Sequence, residues 1–170
     1  HENAARTLEY AYNDWCILQL AKKIGRPAEE LEKWEKRSQN WKNVFDKSTN
    51  LMRGRNKDGK FQEPFSPYKW GDAFTEGNAW HYTWSVFHDV DGLIDEMGGE
   101  ETFVQMLDSV FVVPPIYDDS YYNFRIHEIT EMQVANMGNY AHGNQPAQHM
   151  LHLYDWAGQP WKAQQWIREV

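Results

Sequence analysis

Helix-period apolar residues, interrupted by glycine and proline, constrain the fold of this chain most strongly. From Asn3 to Ile24, apolar side chains recur near the 3.6-residue period of an α-helix. Gly25 follows in the usual C-terminal position, and Pro27 opens a second helix. The same glycine-x-proline connection recurs from Gly158 to Pro160. The pattern predicts an all-α fold built from helical hairpins.

The rest of the chain follows the same pattern. The second helix is predicted to continue from Pro27 to Met52. Further helices are predicted over residues 77–88, 91–97, 100–112, 126–139, 145–157 and 160–170. An irregular all-α domain would show the same spacing, so periodicity alone leaves the arrangement of the helices open.

One long segment, from Arg53 to Asp72, breaks the helical pattern. It contains several glycines and prolines, and residues 57–60 form a turn signal that predicts a short hairpin. A long irregular loop in a small domain is usually functional or disordered. The aromatic residues of this segment favour an ordered loop.

Length, charge and cysteine content exclude several classes of protein. The 170 residues correspond to a single domain. The net charge of −8 argues against a broad phosphate-binding surface, so no nucleic-acid partner is expected. The only cysteine, Cys16, permits no intrachain disulfide, and we expect it in the core. No apolar run is long enough for a membrane span. The chain begins with His1, and its last helix has no stop signal before Val170, so we expect a longer parent protein.

The aromatic content is high for so polar a chain. Phe, Trp and Tyr make up 15% of the residues, while the mean hydropathy is −0.81. Tyr and Trp combine an apolar face with a polar group, and sugars present the matching C–H faces and hydroxyls. A tryptophan-rich core would account for the same composition, so carbohydrate binding and core packing both remain open.

The first candidate site residue is Glu76, where the irregular loop meets a predicted helix. Phe74, Trp80 and Trp84 flank it in sequence. A carboxyl packed against aromatic rings loses hydration, which favours its protonated form and allows it to act as a general acid. The alternative is a helix-capping segment in which Glu76 is a solvated carboxylate.

The second candidate site is the start of the helix predicted over 126–139. His127, Glu128 and Glu131 lie close together there and could form a metal or hydrogen-bonding site. The segment is not the zinc motif His-Glu-x-x-His, because Glu131 occupies the position of the second histidine. A polar helix surface is the alternative.

The third candidate site precedes the helix predicted over 145–157. Asn144 and Gln145 carry neutral amide oxygens, which suit calcium or sugar hydroxyls. Asn144 could equally cap the helix that Gln145 and Pro146 begin. His149 and His152 lie one helical turn further on, and such a pair more often packs or lies at the surface than binds zinc.

These segments give the chain a resemblance to a known enzyme family. The strings that carry it are long and occur in order: Thr7–Cys16, Phe74–Trp80, His88–Leu93, Ala141–Pro146 and Tyr154–Gln164. The chain resembles the family 92 glycoside hydrolases, which are calcium-dependent exo-acting α-mannosidases. The resemblance implies that residues 1–170 form a single segment, about half, of an (α/α)6 toroid. The family's N-terminal β-sandwich and the rest of the toroid would lie outside it.

The resemblance also implies roles for individual residues. Glu76 matches the general acid of an inverting mechanism, and His127 and Glu128 match positions that contact the leaving-group sugar. Trp80 and Asn144 are further expected substrate-binding residues. The expected substrate is terminal α-linked mannose on a glycan such as an N-glycan or yeast mannan.

A calcium ion is the expected cofactor, and Asn144 and Gln145 are its expected ligands in this chain. The family's candidate general bases lie in a Gly-Asp-Glu-Asp-Asn-Gly-Gln motif, and this sequence has no such string. We therefore expect the base, like the other domain and the remaining helices, to come from the rest of a secreted or periplasmic bacterial parent. A non-catalytic helical fragment with weak carbohydrate binding is the alternative.

Overall fold

The computed structural model describes all residues from His1 to Val170 and is mainly helical. The α-helices are α1 (Asn3–Lys23), α2 (Ala28–Ser38), α3 (Ala79–Tyr82), α4 (Val90–Met97), α5 (Glu100–Val112), α6 (His127–Ala135), α7 (Gln145–Gln148) and α8 (Pro160–Glu169). Two 3-10 segments, Gln39–Asn43 and His149–Asp155, and two short strands, β1 (Phe45–Asp46) and β2 (Leu51–Met52), complete the fold. The predicted all-α class is confirmed. That the helices form about half of a toroid stays a prediction. None of the helices has both the length and the apolar character needed to cross a membrane.

Helices α1 and α2 form the predicted helical hairpin. Gly25 has a φ of +71°, which lets the chain reverse direction between them. Across the interface, Arg37 Nε donates a hydrogen bond to Asp14 Oδ2 at 2.8 Å, and Asp14 is only 5% exposed. A buried carboxylate therefore ties the two helices together.

Cys16 is exposed, and its predicted place in the core is wrong. The buried stripe of α1 includes Leu8, Ala11 and Leu18. At 100° per residue, Cys16 lies on the opposite side of the helix from that stripe.

The predicted second helix is much shorter than its apolar pattern suggested. It ends at Ser38, and the chain then forms a 3-10 segment and the antiparallel pair β1–β2. Asp46 Oδ1 accepts hydrogen bonds from the Ser48 amide at 3.0 Å and the Ser48 hydroxyl at 2.6 Å. Asn50 adopts a φ of +55°. These side-chain bonds offer the backbone a turn in place of a helix, so the long-helix prediction fails here.

The irregular loop after β2 is attached to the rest of the fold by side-chain contacts. Its predicted hairpin is reduced to a single antiparallel bridge between Arg55 and Phe61. Arg53 anchors the loop, since its guanidinium donates to Asp46 Oδ2 at 3.0 Å and to the Gln62 carbonyl. Arg53 also lies 4.7 Å from the ring centre of Phe65.

The later helices agree with the sequence where periodicity is sustained. Helix α5 has the predicted bounds, α8 begins at the predicted residue, and α4 begins one residue earlier than predicted. The other three are shorter than predicted: residues 77–88 contain only α3, 126–139 contain α6, and 145–157 divide into α7 and a 3-10 segment.

A buried polar network attaches α3 to the turn that follows α6. The backbone amide of Asn78 donates to His81 Nδ1 at 3.2 Å, and the side-chain Oδ1 of Asn78 accepts from the backbone amide of Trp80 at 3.0 Å. His81 Nε2 then donates to the Asn139 carbonyl at 2.7 Å, and Asn78 Nδ2 donates to Asn139 Oδ1 at 3.0 Å. All three network side chains, Asn78, His81 and Asn139, are fully buried. The network therefore requires His81 in its neutral form with the proton on Nε2.

This network predicts acid lability. Burial lowers the pKa of His81 from 6.5 to about 4. As the pH falls from 6.5 towards 4, the unfolded chain binds a proton at His81 that the folded chain does not, so stability decreases. The full effect is about 3 kcal/mol in the free energy of unfolding. Urea unfolding at several pH values should show this decrease.

The variant His81→Gln should have a smaller pH slope between pH 6.5 and 4, whatever its stability at pH 7. The variant His152→Gln is the matched control, because His152 is exposed and lies outside the network. A His81→Gln slope equal to that of the unmodified chain would contradict the prediction.

Candidate active site

The loop before α3 carries Glu76 on a tightly closed turn. The Gly71 amide donates to the Gly77 carbonyl at 3.0 Å, which closes the loop across residues 71–77. Gly71 has a φ of +78°, and Asp72 a φ of +58°. Asn78, the first residue after the loop, belongs to the buried network described above. The loop is therefore fixed to the core at its end.

Glu76 itself has a left-handed backbone with a φ of +49°. This conformation costs a residue other than glycine about 1–3 kcal/mol, so surrounding contacts must hold it. The Glu76 amide donates to the Tyr122 hydroxyl at 3.0 Å, and Asn144 Nδ2 donates to the Glu76 carbonyl. The Tyr82 hydroxyl donates to the preceding carbonyl, that of Thr75.

A cavity of about 360 Å³ lies against Glu76. Residues from α1, the loop before α3, the segment after α3 and the start of α7 line it: Ala5, Leu8, Glu9, Thr75, Glu76, Tyr82, Ser85, Phe87, Asn144, Gln145 and Pro146. A cavity of this size can hold a sugar ring, and its mixed polar and apolar lining suits one.

Two carboxylates, Glu9 and Glu76, line this cavity. Most glycoside hydrolases use a pair of carboxyl groups that flank the bound sugar as their catalytic groups. Glu9 was not among the candidate residues from the sequence, because nothing in the amphipathic pattern of α1 distinguishes it from a solvated surface glutamate.

The predicted aromatic surroundings of Glu76 are not found. Trp84 and Phe74 are buried at 1% and 4% exposure, Trp80 at 8%, and Glu76 itself is exposed. The tryptophans of α3 and its end pack into the core, because the core-facing side of this short helix needs large apolar side chains. Trp80 lies 6.3 Å from the ring of Tyr68 and does not line the cavity, so its predicted role in substrate binding has no support here.

Tyrosines take the place of the tryptophans near Glu76. Burial raises the pKa of Tyr82 to about 12, and the negative charge of Glu76 adds to the rise. Burial also raises the pKa of Tyr122, again with a contribution from Glu76. Tyr82 therefore keeps the proton that it donates to the Thr75 carbonyl, while the Tyr122 hydroxyl acts as an acceptor for the Glu76 amide.

The structure brings Asn144 and Gln145 to Glu76. Asn144 is 2% exposed, and Gln145 is exposed beside it on the cavity wall. Asn144 occupies the N-cap position of α7, as the capping alternative had it, but its side chain makes no capping bond. Its Nδ2 instead donates to the Glu76 carbonyl, and its amide oxygen remains as an acceptor.

His127 and Glu128 lie on α6 and do not line the cavity. His127 Nδ1 lies 3.1 Å from Glu131 Oε1, and His127 Nε2 lies 3.3 Å from Glu128 Oε1. Glu131 reaches the loop before α7, where it leaves no room for a side chain at Gly143. Gly143 directly precedes Asn144, so Glu131 lies close to the segment that carries Asn144. His127 is exposed to solvent.

The two later histidines have separate environments. His149 Nε2 bonds to the Trp84 carbonyl at 2.8 Å, and its ring packs against Phe87 with centroids 4.6 Å apart. Burial lowers the pKa of His149. His152 is exposed. The packing and surface interpretation of this pair is confirmed.

The residues present do not form a metal centre by themselves. No group of three or more His, Cys, Asp and Glu side chains, the cluster on α6 included, has an arrangement that could hold a metal ion. At the cavity, the amide oxygens of Asn144 and Gln145 and the carboxylate of Glu76 are oxygen donors of the kind that calcium takes, but calcium needs 6–8 of them. A calcium ion would therefore fit here only with further ligands from outside this chain.

Sequence reasoning missed Tyr82 and Tyr122 as well as Glu9. Tyr82 follows Glu76 by six residues, within the segment singled out, but its aromatic ring did not reveal a contact with the Thr75 carbonyl. Tyr122 is 46 residues from Glu76 and lies in a stretch without helical spacing. No local signal relates such a pair.

Comparison with known proteins identifies the family of this chain. The model of the glycosyl hydrolase family 92 catalytic domain matches residues 1–170. A protein of the fungus Arthroderma benhamiae, named an uncharacterized secreted glycosidase, is 28% identical over 179 residues. That match spans 92% of this chain and 20% of the fungal protein.

Two solved structures from Bacteroides thetaiotaomicron are similar throughout the chain. The family GH92 inverting mannosidase BT2199 is 46% identical, with a TM-score of 0.82, over 99% of this chain and 23% of its own. The family GH92 α-mannosidase BT3965, solved with mannoimidazole, is 36% identical, with a TM-score of 0.82, over 98% of this chain and 22% of its own. The chain thus spans about a fifth of the length of these relatives, and it belongs to glycosyl hydrolase family 92 as a part of the family's catalytic domain.

Proposed function

We propose that this chain is part of an inverting exo-α-mannosidase that removes terminal α-linked mannose from glycans such as N-glycans or yeast mannan. The observation that carries the proposal is the position of Glu76, on the wall of a sugar-sized cavity beside Asn144 and Gln145. The family membership supports glycoside hydrolysis, and the two Bacteroides structures are those of mannosidases.

Glu76 is the proposed general acid. In an inverting mechanism the acid gives its proton to the glycosidic oxygen as the bond to the anomeric carbon breaks. The leaving sugar then departs as a neutral alcohol. The contacts of the loop fix the backbone of Glu76 on the cavity wall, from which its carboxyl can reach a bound glycosidic oxygen.

The general base activates a water molecule on the opposite side of the sugar ring. In inverting glycosidases about 6.5–9.5 Å separates the two carboxyl groups, which leaves room for that water. We propose that the base comes from the rest of the parent protein. The parent also supplies the β-sandwich domain and the remaining helices in this proposal.

Leaving-group recognition is proposed for His127 and Glu128. Their side chains are 3.3 Å apart at the start of α6, and His127 is exposed beside the Asn144 loop. A histidine–carboxylate pair offers a donor and an acceptor to sugar hydroxyls. Asn144 can contribute its amide oxygen to the substrate as well.

Calcium is the proposed cofactor, held in this chain by the amide oxygens of Asn144 and Gln145 and completed by ligands from the rest of the parent. When bound, the ion would hold ring hydroxyls of the mannoside through its oxygen-favouring coordination. The chain's own part is to present the two amides side by side on the cavity wall.

The parent is proposed to be a secreted or periplasmic protein. The fungal relative is named as secreted, and the similar solved structures are bacterial. Both settings bring the enzyme into contact with glycans outside the cytoplasm.

The isolated 170-residue chain should hydrolyse an aryl α-mannoside far more slowly than the full-length protein. Loss of a general base alone commonly removes about 10²–10⁴ of the rate, and loss of substrate-positioning groups removes more. Initial rates with both proteins at equal concentration measure the difference. Comparable rates would place a base within this chain, and Glu9, the second carboxylate on the cavity, would be its first candidate. The carboxylates of α4 and α6 would be less suitable, since they lie outside the cavity lining.

In the full-length protein, Glu76→Gln should strongly reduce cleavage of a mannose–mannose bond, by about 10²–10⁴ in kcat. Cleavage of a mannoside with an activated phenol leaving group should fall much less, because a good leaving group needs little protonation. The two kcat values of one folded variant test the assignment.

The control is Glu35→Gln, which changes an exposed glutamate on α2, away from the cavity. It should leave both rates near those of the unmodified protein. Equal losses on the two substrates in Glu76→Gln would remove Glu76 from the acid role.

A further inference from the structure

We propose that Tyr122 is a positioning residue for Glu76. The Tyr122 hydroxyl, together with Tyr82 and Asn144, holds the backbone around Glu76 in place. The inference rests on the proposed role of Glu76 as the general acid. It assigns to a tyrosine on the connection between α5 and α6 a part in the reaction that its sequence position does not suggest.

The backbone of Glu76 has no backbone partner. Its amide and its carbonyl are absent from the hydrogen bonds of helices, strands and turns, and the same holds for the Thr75 carbonyl. All three groups bond to side chains instead: to Tyr122, Asn144 and Tyr82 respectively. Within the loop closed by Gly71 and Gly77, side chains therefore hold the left-handed conformation of Glu76. Tyr82 and Tyr122 hold the two ends of the Thr75–Glu76 peptide group, so loss of the Tyr122 hydroxyl leaves that group held at one end only.

Tyr122 is attached to a rigid part of the molecule. It packs against a small buried cluster of Trp70, Ile129, Met132 and Ala141, which joins the irregular loop to α6. Its ring also meets that of Tyr121 edge-on, with centroids 5.2 Å apart. The hydroxyl oxygen is thereby held at a defined point, 3.0 Å from the Glu76 amide nitrogen.

Three segments, two of them distant in sequence, converge on the Glu76 loop through these bonds. Tyr122 is 46 residues away, Asn144 is 68 residues away, and Tyr82 follows within α3. Such convergence around an exposed side chain has no evident value for the core, because Glu76 contributes nothing to it. It has a clear value for an acid whose carboxyl must meet a glycosidic oxygen, since a misplacement of about 1 Å can cost about 10²-fold in rate.

The variant Tyr122→Phe removes the hydroxyl and keeps the ring in its cluster. In the full-length protein, kcat for a mannose–mannose bond should fall about tenfold or more, because the carboxyl is less often in reach of the leaving oxygen. KM should stay within about twofold, since no group that binds the sugar is lost. For an activated aryl mannoside, kcat should change less than about threefold.

The matched control is Tyr121→Phe. Tyr121 is the neighbouring tyrosine, and its hydroxyl bonds only to the exposed His1 ring, at 2.5 Å. Removal of that hydroxyl should leave both substrates unaffected. Thermal unfolding of the two variants shows whether either substitution disturbs the fold.

A second comparison separates positioning from a structural role. In a protein that already carries Glu76→Gln, Tyr122→Phe should cause no further loss on the mannose–mannose bond, because there is no acid left to position. A structural defect would lower the rate in both backgrounds. If Tyr122→Phe does not fold, Tyr82→Phe, which frees the Thr75 carbonyl, is judged by the same leaving-group criterion.

The outcomes distinguish this inference from the proposed function. A selective loss on the poor leaving group with Tyr122→Phe supports the positioning role. Equal behaviour of Tyr122→Phe and Tyr121→Phe, or equal losses on both substrates, overturns it even if Glu76→Gln shows the acid signature. If Glu76→Gln itself lacks that signature, the acid assignment fails and the positioning role fails with it.

Discussion

The buried hydrogen bonds between α3 and the turn after α6 are the constraint on which the cavity depends. His81, Asn78 and Asn139 are fully buried, so each polar group left without a partner would cost about 1–3 kcal/mol. The three side chains therefore satisfy most of their polar groups through one another, with the Trp80 amide and the Pro114 carbonyl as further partners. By doing so they fix the start of α3, and the loop that carries Glu76 ends at that start.

Helix α6 relates this network to the rest of the cavity. The connection before it carries Tyr122, and the connection after it carries Asn139 and then Asn144. All three side chains reach back towards the segment 74–81. The connections before and after α6 thus both contact the segment 74–81. The cavity is formed where they meet the first turns of α1.

The sequence predicts those parts of the fold where a local signal decides the structure. The helical hairpin, α5 and α8 have sustained periodicity with glycine or proline at their ends, and they form as predicted. The second helix fails after Ser38, because Asp46 and Ser48 stabilise a turn that an apolar pattern does not reveal. At the site, Glu76, Asn144 and Gln145 are predicted and do meet. Polar residues at the ends of loops are often functional, whereas the partners of such residues are set by tertiary contacts.

The exposure of Glu76 determines what else the active enzyme must provide. Its carboxyl is in contact with water, because the aromatic rings expected to shield it lie in the core. Two sources of shielding remain, namely the bound sugar and the parts of the parent protein outside this chain. Either would remove water from the cavity and strengthen the electrostatic interactions of the acid. The chain therefore fixes the backbone that carries the proposed proton donor, while the shielding of its carboxyl from water depends on how the cavity is closed.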